Sequence, residues 1–373
     1  MSSPLRKRLR AEERDISPPP LRRKLNFDQY HETKLRSQST QKSIKSFFQR
    51  SSKKGDPPNT DDEAEDQDFG KGDVPLRKFL RRHHFPEIVC LQEVKISPKD
   101  EKTRGAVERA ANYQGKADGG KGYKAYFELP RDRYNATGWG GKVYGVCTLV
   151  REDILALGKM KTKGVEWDLE GRVLVSVLEF GKAGTGKEDK GGGAEKLVVI
   201  NGYWPNGTTN LWRDSKSGIV RGTRHDMKRN FHSLMLGEVM RYQNAGWQVV
   251  LIGDMNIARS PLDGYPGIRL GAEHVRNRKE WNEMFVDGKD GMRGVDSWRW
   301  IRGEKRGYSY HGERAEEWGR SCDRIDLGVV NPSLVGEGKK GTEMRLMGAE
   351  IWENVEERGE CDHVPISVVL DLG

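Results

Sequence analysis

Seven short apolar runs set the limits on what this chain can fold into: Ile88–Leu91, Tyr144–Val150, Arg172–Phe180, Leu197–Tyr203, Gln248–Gly253, Ile325–Val330 and Val364–Leu370. Each is too short for an ordinary helix and most are rich in Val, Ile and Leu, which marks buried strands. Helical spacing is strong in two places. Leu76, Phe79 and Leu80 suit an amphipathic helix that stops near Phe85-Pro86. Arg224–Asn244 is the second, with Met227, Phe231, Leu234, Leu236 and Val239 near helical spacing. Many buried strands with few helices cover themselves by packing sheet on sheet with helices outside, an α+β layered sandwich. Gly181–Glu195 is a Gly/Lys-rich loop between two of the strands.

Charge divides the chain before the first of these runs. Residues 1–55 carry 15 Lys/Arg against 5 Asp/Glu, whereas Asp56 to Asp68 hold 7 acids and no base. Without apolar periodicity, and with Pro18-Pro19-Pro20, residues 1–40 are expected to be a disordered basic tail. A folded domain spans 41–373, with a disordered acidic insertion near 51–70. Arg6-Lys7-Arg8-Leu9-Arg10 and Arg22-Arg23-Lys24 have the form of a bipartite nuclear import signal, so the expected location is the nucleus. No apolar run approaches the roughly 20 residues of a membrane span, and no apolar leader follows the basic start. Cys90, Cys147, Cys322 and Cys361 are far apart with no CxxC pair, which argues against a zinc-finger or disulfide framework and fits a reducing compartment.

Polar side chains follow the apolar runs, where strands give way to loops. Glu93 ends one; Asp254 and Asn256, two residues apart, share a side of an extended segment at another. Asp323 and Asp326 flank Arg324-Ile325, and Asp362 precedes His363. Acids gathered at sheet ends can hold Mg²⁺, a hard cation that prefers oxygen ligands, and a nearby histidine suits proton handling or phosphate binding. Arg224, His225 and Lys228, at the start of the long helix, suit either phosphate contacts or a solvated face.

In order along the chain, six motifs resemble those of the exonuclease III-like apurinic/apyrimidinic (AP) endonucleases of the endonuclease/exonuclease/phosphatase superfamily. They are Leu91-Gln92-Glu93-Val94-Lys95, Glu170-Gly171-Arg172-Val173, Tyr203-Trp204-Pro205-Asn206-Gly207, Gly253-Asp254-Met255-Asn256-Ile257-Ala258, Asp323-Arg324-Ile325-Asp326 and Asp362-His363-Val364-Pro365. The resemblance runs from about Leu76 to Leu372 and implies a four-layered α/β/β/α sandwich of the DNase I-like kind. It implies Mg²⁺, with Mn²⁺ as a substitute, bound by Glu93, Asp254, Asn256, Asp362 and His363. Asp254 would align or deprotonate the attacking water, and Asn256 would steady it. Tyr203 and His363 would bind the scissile phosphate, with Asp326 fixing the histidine tautomer. Asn206, Arg224 and His363 would contact nucleic acid. The implied activity is hydrolysis of DNA 5′ to abasic sites, or removal of 3′ ends, by a monomer acting on double-stranded DNA. Another phosphodiesterase or phosphatase of the superfamily, or a catalytically weakened DNA- or clamp-binding protein, are the alternatives. Read singly, Tyr203 is equally a strand-end aromatic, Asn256 a turn former and Asp326 a partner of Arg324.

Two departures accompany the likeness. The family's opening strand, ending in tryptophan–asparagine–x–asparagine–glycine, has no counterpart between Leu25 and Thr40, where Asn26 is followed by Phe27-Asp28-Gln29. Asp323 and Leu327 stand where related repair enzymes often place tryptophan and tyrosine, and Asp323 cannot stack against a baseless sugar. Gln41–Phe48 fits a sliding-clamp-binding box. Its Ile44, Phe47 and Phe48 also fit the inner face of a first core helix, which is the expectation favoured here.

Overall fold

The computed structural model describes residues 74–113, 120–136, 138–181, 194–312, 318–336 and 344–372. The basic tail, the import clusters, Asn26, Gln41–Phe48 and the acidic insertion lie outside them. In chain order the first half runs α1 (Pro75–Arg82), β1 (Ile88–Gln92), α2 (Glu101–Ala111), β2 (Tyr123–Glu128), β3 (Val146–Arg151), α3 (Glu152–Leu157), β4 (Gly158–Gly164), β5 (Val173–Phe180) and β6 (Glu195–Tyr203). A hairpin, β7 (Leu211–Arg213) and β8 (Val220–Thr223), leads into α4 (Arg224–Asn244) and β9 (Gln248–Asp254). Next come β10 (Gly264–Tyr265), α5 (Ala272–Asn282), β11 (Val295–Asp296), α6 (Ser297–Arg302), β12 (Tyr310–His311), β13 (Cys322–Asp323) and β14 (Asp326–Val330). The chain closes with β15 (Arg345–Ile351), α7 (Val355–Arg358) and β16 (Ile366–Asp371).

Six strands in the order β11-β14-β9-β6-β5-β4 form the larger sheet. Its centre is a parallel pair, β6 and β9, flanked by antiparallel neighbours. Side chains on each strand alternate between faces. Val198, Ile200, Val249, Leu251, Leu327 and Val329 point to α4 and α5, where they join Phe231, Met235, Val239 and Trp281. Leu197, Val199, Val250 and Val330 point the other way, onto Ile88 and Cys90 of β1 and Val368 and Leu370 of β16. That facing layer consists of β1-β3-β2 and the pair β15-β16. Its outer side is covered by Leu76 and Leu80 of α1 and Val107 and Ala110 of α2. Helices, sheet, sheets and helices make the expected four layers.

All seven expected strands appear within two residues of their predicted bounds, and α4 matches its expected span. A capping box fixes its start: Thr223 caps the helix while the Asp226 side chain accepts from Thr223 N–H at 2.7 Å. At the sheet centre Gly253 has φ +140°, and a Cβ there would lie 2.0 Å from the Gly202 carbonyl oxygen, so the two central strands approach as only glycine permits.

The layers are also joined by a buried polar clasp. Gln92 Nε2 donates to Asn201 Oδ1 at 2.8 Å, and Asn201 Nδ2 donates to the Cys147 carbonyl at 3.0 Å and to Thr148 Oγ1 at 3.2 Å. Below the site an ion network secures the Asp323–Asp326 segment. Arg324, almost fully buried, donates to both Asp296 oxygens at 3.0 and 2.7 Å and to Asp263 at 2.7 Å, and Arg259 also reaches Asp296 at 2.7 Å. Burial alone would raise the Asp296 pKa, but Arg324 and Arg259 outweigh it and hold the carboxyl at about 2.

Candidate active site

The same alternation that fills the core carries three site residues to one place. Tyr203 continues the Leu197–Val199–Asn201 face of β6, Asp254 the Val250–Ile252 face of β9, and Asp326 the Val330–Gly328 face of β14. The register pairs Tyr203 with Asp254 and Asp254 with Asp326, so the three stand in a row across adjacent strands. All face the layer that holds β1. Glu93, the residue after β1, has φ +54°, and Asn256, two beyond β9, has φ +50°. Left-handed backbone at non-glycine residues is uncommon and gathers at functional sites.

Hydrogen bonds orient each group. Asp254, 5% exposed, accepts from Asn256 N–H at 2.8 Å and from Asn256 Nδ2 at 2.9 Å. Asn256 Nδ2 also donates to the Trp204 carbonyl at 3.0 Å, which leaves Oδ1 as the side chain's acceptor. The buried Lys228 donates to the Asn256 carbonyl at 2.7 Å and holds the turn from below. His363 meets Asp326 through Nδ1 at 2.7 Å, leaving Nε2 on the far side of the ring.

The electrostatics follow from this crowding. Burial, and then the neighbouring Asp326, raise Asp254 to about 7 against the pull of His363. Burial would lower His363, but Asp326, with Asp254 and Asp362, raises it to about 10. With Nδ1 engaged by Asp326, the His363 ring presents Nε2 to the site. Burial, and then the charges of Glu93 and Asp254, push the Tyr203 phenol well above its usual range, so it remains a neutral O–H donor. Burial carries the Lys228 ammonium down to about 7 despite Asp254.

Arg224 and Asn206 fall in different surroundings. Arg224 is buried and donates to the two oxygens of Glu170 at 2.6 and 2.7 Å, so it braces the site from within. Glu170 also takes Arg172 Nε at 2.7 Å. The Arg172 guanidinium lies 3.7 Å from the Tyr144 ring centroid and 4.8 Å from that of Tyr203. Gly171, at φ +72°, allows this turn: a Cβ would meet the Leu129 carbonyl carbon at 2.6 Å. Asn206 is exposed and accepts from Arg269 at 3.3 Å. Tyr144 and the bracing roles of Arg172 and Lys228 escaped the sequence reading. Only the Glu170-Gly171-Arg172 motif gave a signal for any of them.

Among the described residues no three His, Cys, Asp or Glu side chains form a ready-made metal cage. Glu93 pairs with Lys95 Nζ at 3.2 Å. The donor set still suits Mg²⁺, which is typically held by one or two carboxylates, water and substrate phosphate rather than by an all-protein cage. Glu93, Asp254 and Asn256 Oδ1 supply hard oxygen donors around the row, with Asp362 beside His363.

Residues 69–332 match the model of the Endonuclease/Exonuclease/phosphatase family. The chain belongs to this family of hydrolytic nucleases and phosphatases. No curated protein sequence matches it. Its fold is similar to the catalytic domain of APE2 from Xenopus laevis, with 21% identity, a TM-score of 0.55, and 79% of this chain and 86% of that chain covered. The 3′ phosphatase NExo from Neisseria, solved with a product DNA hairpin, is similar at 17% identity and a TM-score of 0.50, with 80% and 94% covered.

Proposed function

We propose that the protein is a Mg²⁺-dependent DNA-repair phosphodiesterase that cuts DNA 5′ to abasic sites or removes blocked 3′ ends. The observation that carries this reading is the row Tyr203–Asp254–Asp326 with His363 docked on Asp326 and Asn256 on Asp254. In it a phosphodiester lies between a neutral phenol donor and a cationic imidazole. Tyr203 donates its O–H to a non-bridging oxygen, and His363 donates Nε2–H to another while Asp326 keeps the ring oriented. Asp254 takes a proton from the attacking water, which Asn256 Oδ1 helps to align. Glu93, Asp254, Asn256 and Asp362 would hold Mg²⁺ or Mn²⁺, which would supply Lewis acidity and neutralise developing charge. Asp323 places a carboxyl where stacking would select a baseless sugar, which favours 3′-end removal over strict abasic-site cutting.

The test is cleavage of three duplexes: one with a single abasic analogue, one with a 3′-phosphate and one intact. Metal-dependent hydrolysis of either modified duplex is expected, and none in chelator. Failure on all three with Mg²⁺ and Mn²⁺ would favour the alternative, a DNA-binding protein with weakened catalysis. Nuclear location belongs to this proposal, and deletion of residues 1–24 should abolish it. Gln41–Phe48 is read as a first core helix, with a clamp-binding box as the alternative. Alanine at Phe47 and Phe48 should therefore lower the melting temperature, whereas an unchanged melting temperature with lost clamp binding would favour the clamp-binding box.

A further inference from the structure

Behind Tyr203 lies the buried ion group of Glu170, Arg172 and Arg224. Arg172 grips Tyr203 at two backbone atoms: Tyr203 N–H donates to the Arg172 carbonyl at 2.8 Å, and Arg172 Nη1 donates to the Tyr203 carbonyl at 3.1 Å. Arg172 Nε is engaged by Glu170, and its main-chain N–H by the Asp168 carboxylate. The guanidinium therefore helps to aim the residue whose hydroxyl meets the phosphate. Water that reached it would compete for Nη1, so what covers it matters.

Tyr144 supplies the cover. Its half-buried ring stands 3.7 Å, centroid to guanidinium carbon, from Arg172 and 5.6 Å from Arg224, both within cation–π range. The Tyr144 and Tyr203 ring centroids are 6.3 Å apart at 50°. Ring, guanidinium and ring are in mutual contact, so a shift of one is felt by the others. The backbone after Tyr144 reaches the opposite side of the site. Gly145, at φ +136°, accepts from Val94 N–H at 3.0 Å, and a Cβ there would stand 2.9 Å from Val94 Cγ2. Val94 directly follows Glu93, and Gln92 before it pairs with Val146 in the sheet. The step Tyr144-Gly145 thus meets the support of Tyr203 through a side chain and the Glu93 loop through the main chain.

We propose that Tyr144 is a positioning residue for hydrolysis: its aromatic face holds Arg172 against Tyr203, so that the Tyr203 hydroxyl meets the phosphate in one orientation. The inference rests on the reading of Tyr203 as a phosphate donor and deepens it. Attraction to a cation belongs to the face of the ring, so phenylalanine can do the same work and leucine cannot. A misaligned donor costs most where charge develops, which places the effect on turnover rather than on KM.

The test measures kcat and KM of the full chain with Mg²⁺ on whichever duplex the natural protein cleaves. Tyr144→Leu is expected to lower kcat about tenfold with KM changed by less than about twofold, whereas Tyr144→Phe keeps kcat within about twofold. The leucine substitution is then repeated beside Tyr203→Phe, which removes the hydroxyl being aimed. There it should cost less than about twofold more, because nothing is left to aim. Natural kcat in the leucine variant would overturn the inference and leave Tyr203 as the phosphate donor. An equal loss with and without the Tyr203 hydroxyl would also overturn it, making Tyr144 a general support of the fold. A phenylalanine variant as slow as the leucine one would overturn the ring-face role and give the task to the Tyr144 hydroxyl. Normal turnover by Tyr203→Phe alone, or no cleavage by the natural chain, would overturn this inference together with the reading beneath it.

Discussion

Tyr203, Asp254 and Asp326 are neighbours by hydrogen-bonded register in one six-stranded sheet, whereas Glu93 and His363 come from opposite halves of a divided layer. Among the described residues no strand joins β1 to β16. β1 packs across β6 and β9, and β16 packs across β14. The row is therefore fixed by backbone pairing. The position of Glu93 relative to it depends on how one layer sits on the other. Chemistry that needs alignment on both sides of a phosphate has one firm side and one adjustable side.

This contrast can be broken most severely beneath the firm side. Asp296→Asn removes the charge facing the buried Arg324 and is expected to cost roughly 3–5 kcal/mol, read as a lower melting temperature. Its sign with pH is fixed. With the folded pKa at about 2 against 3.8, the Asp296 contribution is complete above about pH 4 and drains away toward pH 2. The variant should lack that part of the acid transition. A melting temperature within a degree of the natural protein would refute the bracing role of the network.

Within the row, Asp254→Asn should lower turnover on the order of 10²-fold or more with folding intact. Near-normal turnover at saturating Mg²⁺ would remove Asp254 from proton handling. On the adjustable side, Glu93→Gln should chiefly raise the Mg²⁺ needed for half-maximal activity, by about tenfold, with turnover partly restored by excess metal. If added Mg²⁺ recovers nothing, Glu93 acts in another way. The smallest effect belongs to β16, where Val369 is exposed: Val369→Ala should shift stability by less than about 0.5 kcal/mol. A loss of several kcal/mol there would mean that something covers that strand in solution.

Much of the firm side was legible in the sequence. The apolar runs Leu197–Tyr203, Gln248–Gly253 and Ile325–Val330 mark the strands, and Tyr203, Asp254 and Asp326 stand at their ends or within one residue of them. α4 was legible because Met227, Phe231 and Val239 recur near helical spacing, and all three pack into the core. By contrast α2 and α5 buried too few apolar side chains to stand out: Val107 and two alanines in one, Trp281 in the other. The inward turn of Arg224 was hidden because its partner, Glu170, is 54 residues away. A basic residue in a first helical turn gives no local sign of such a partner. Lys228 escaped for a similar reason, since its acceptors are main-chain carbonyls that no side-chain pattern records.

The clasp at Asn201 acquires a further meaning from its address. Asn201 lies two residues before Tyr203 on one layer, and its partner Gln92 lies one residue before Glu93 on the other. In mechanical language it is a locating pin: apolar packing presses two plates together but lets them slide, and a pin through both fixes where they stop. A leucine there could press the plates as firmly, since a satisfied buried amide is seldom a large net source of stability. What would be lost is the stop itself, and with it the alignment of Glu93 against Tyr203.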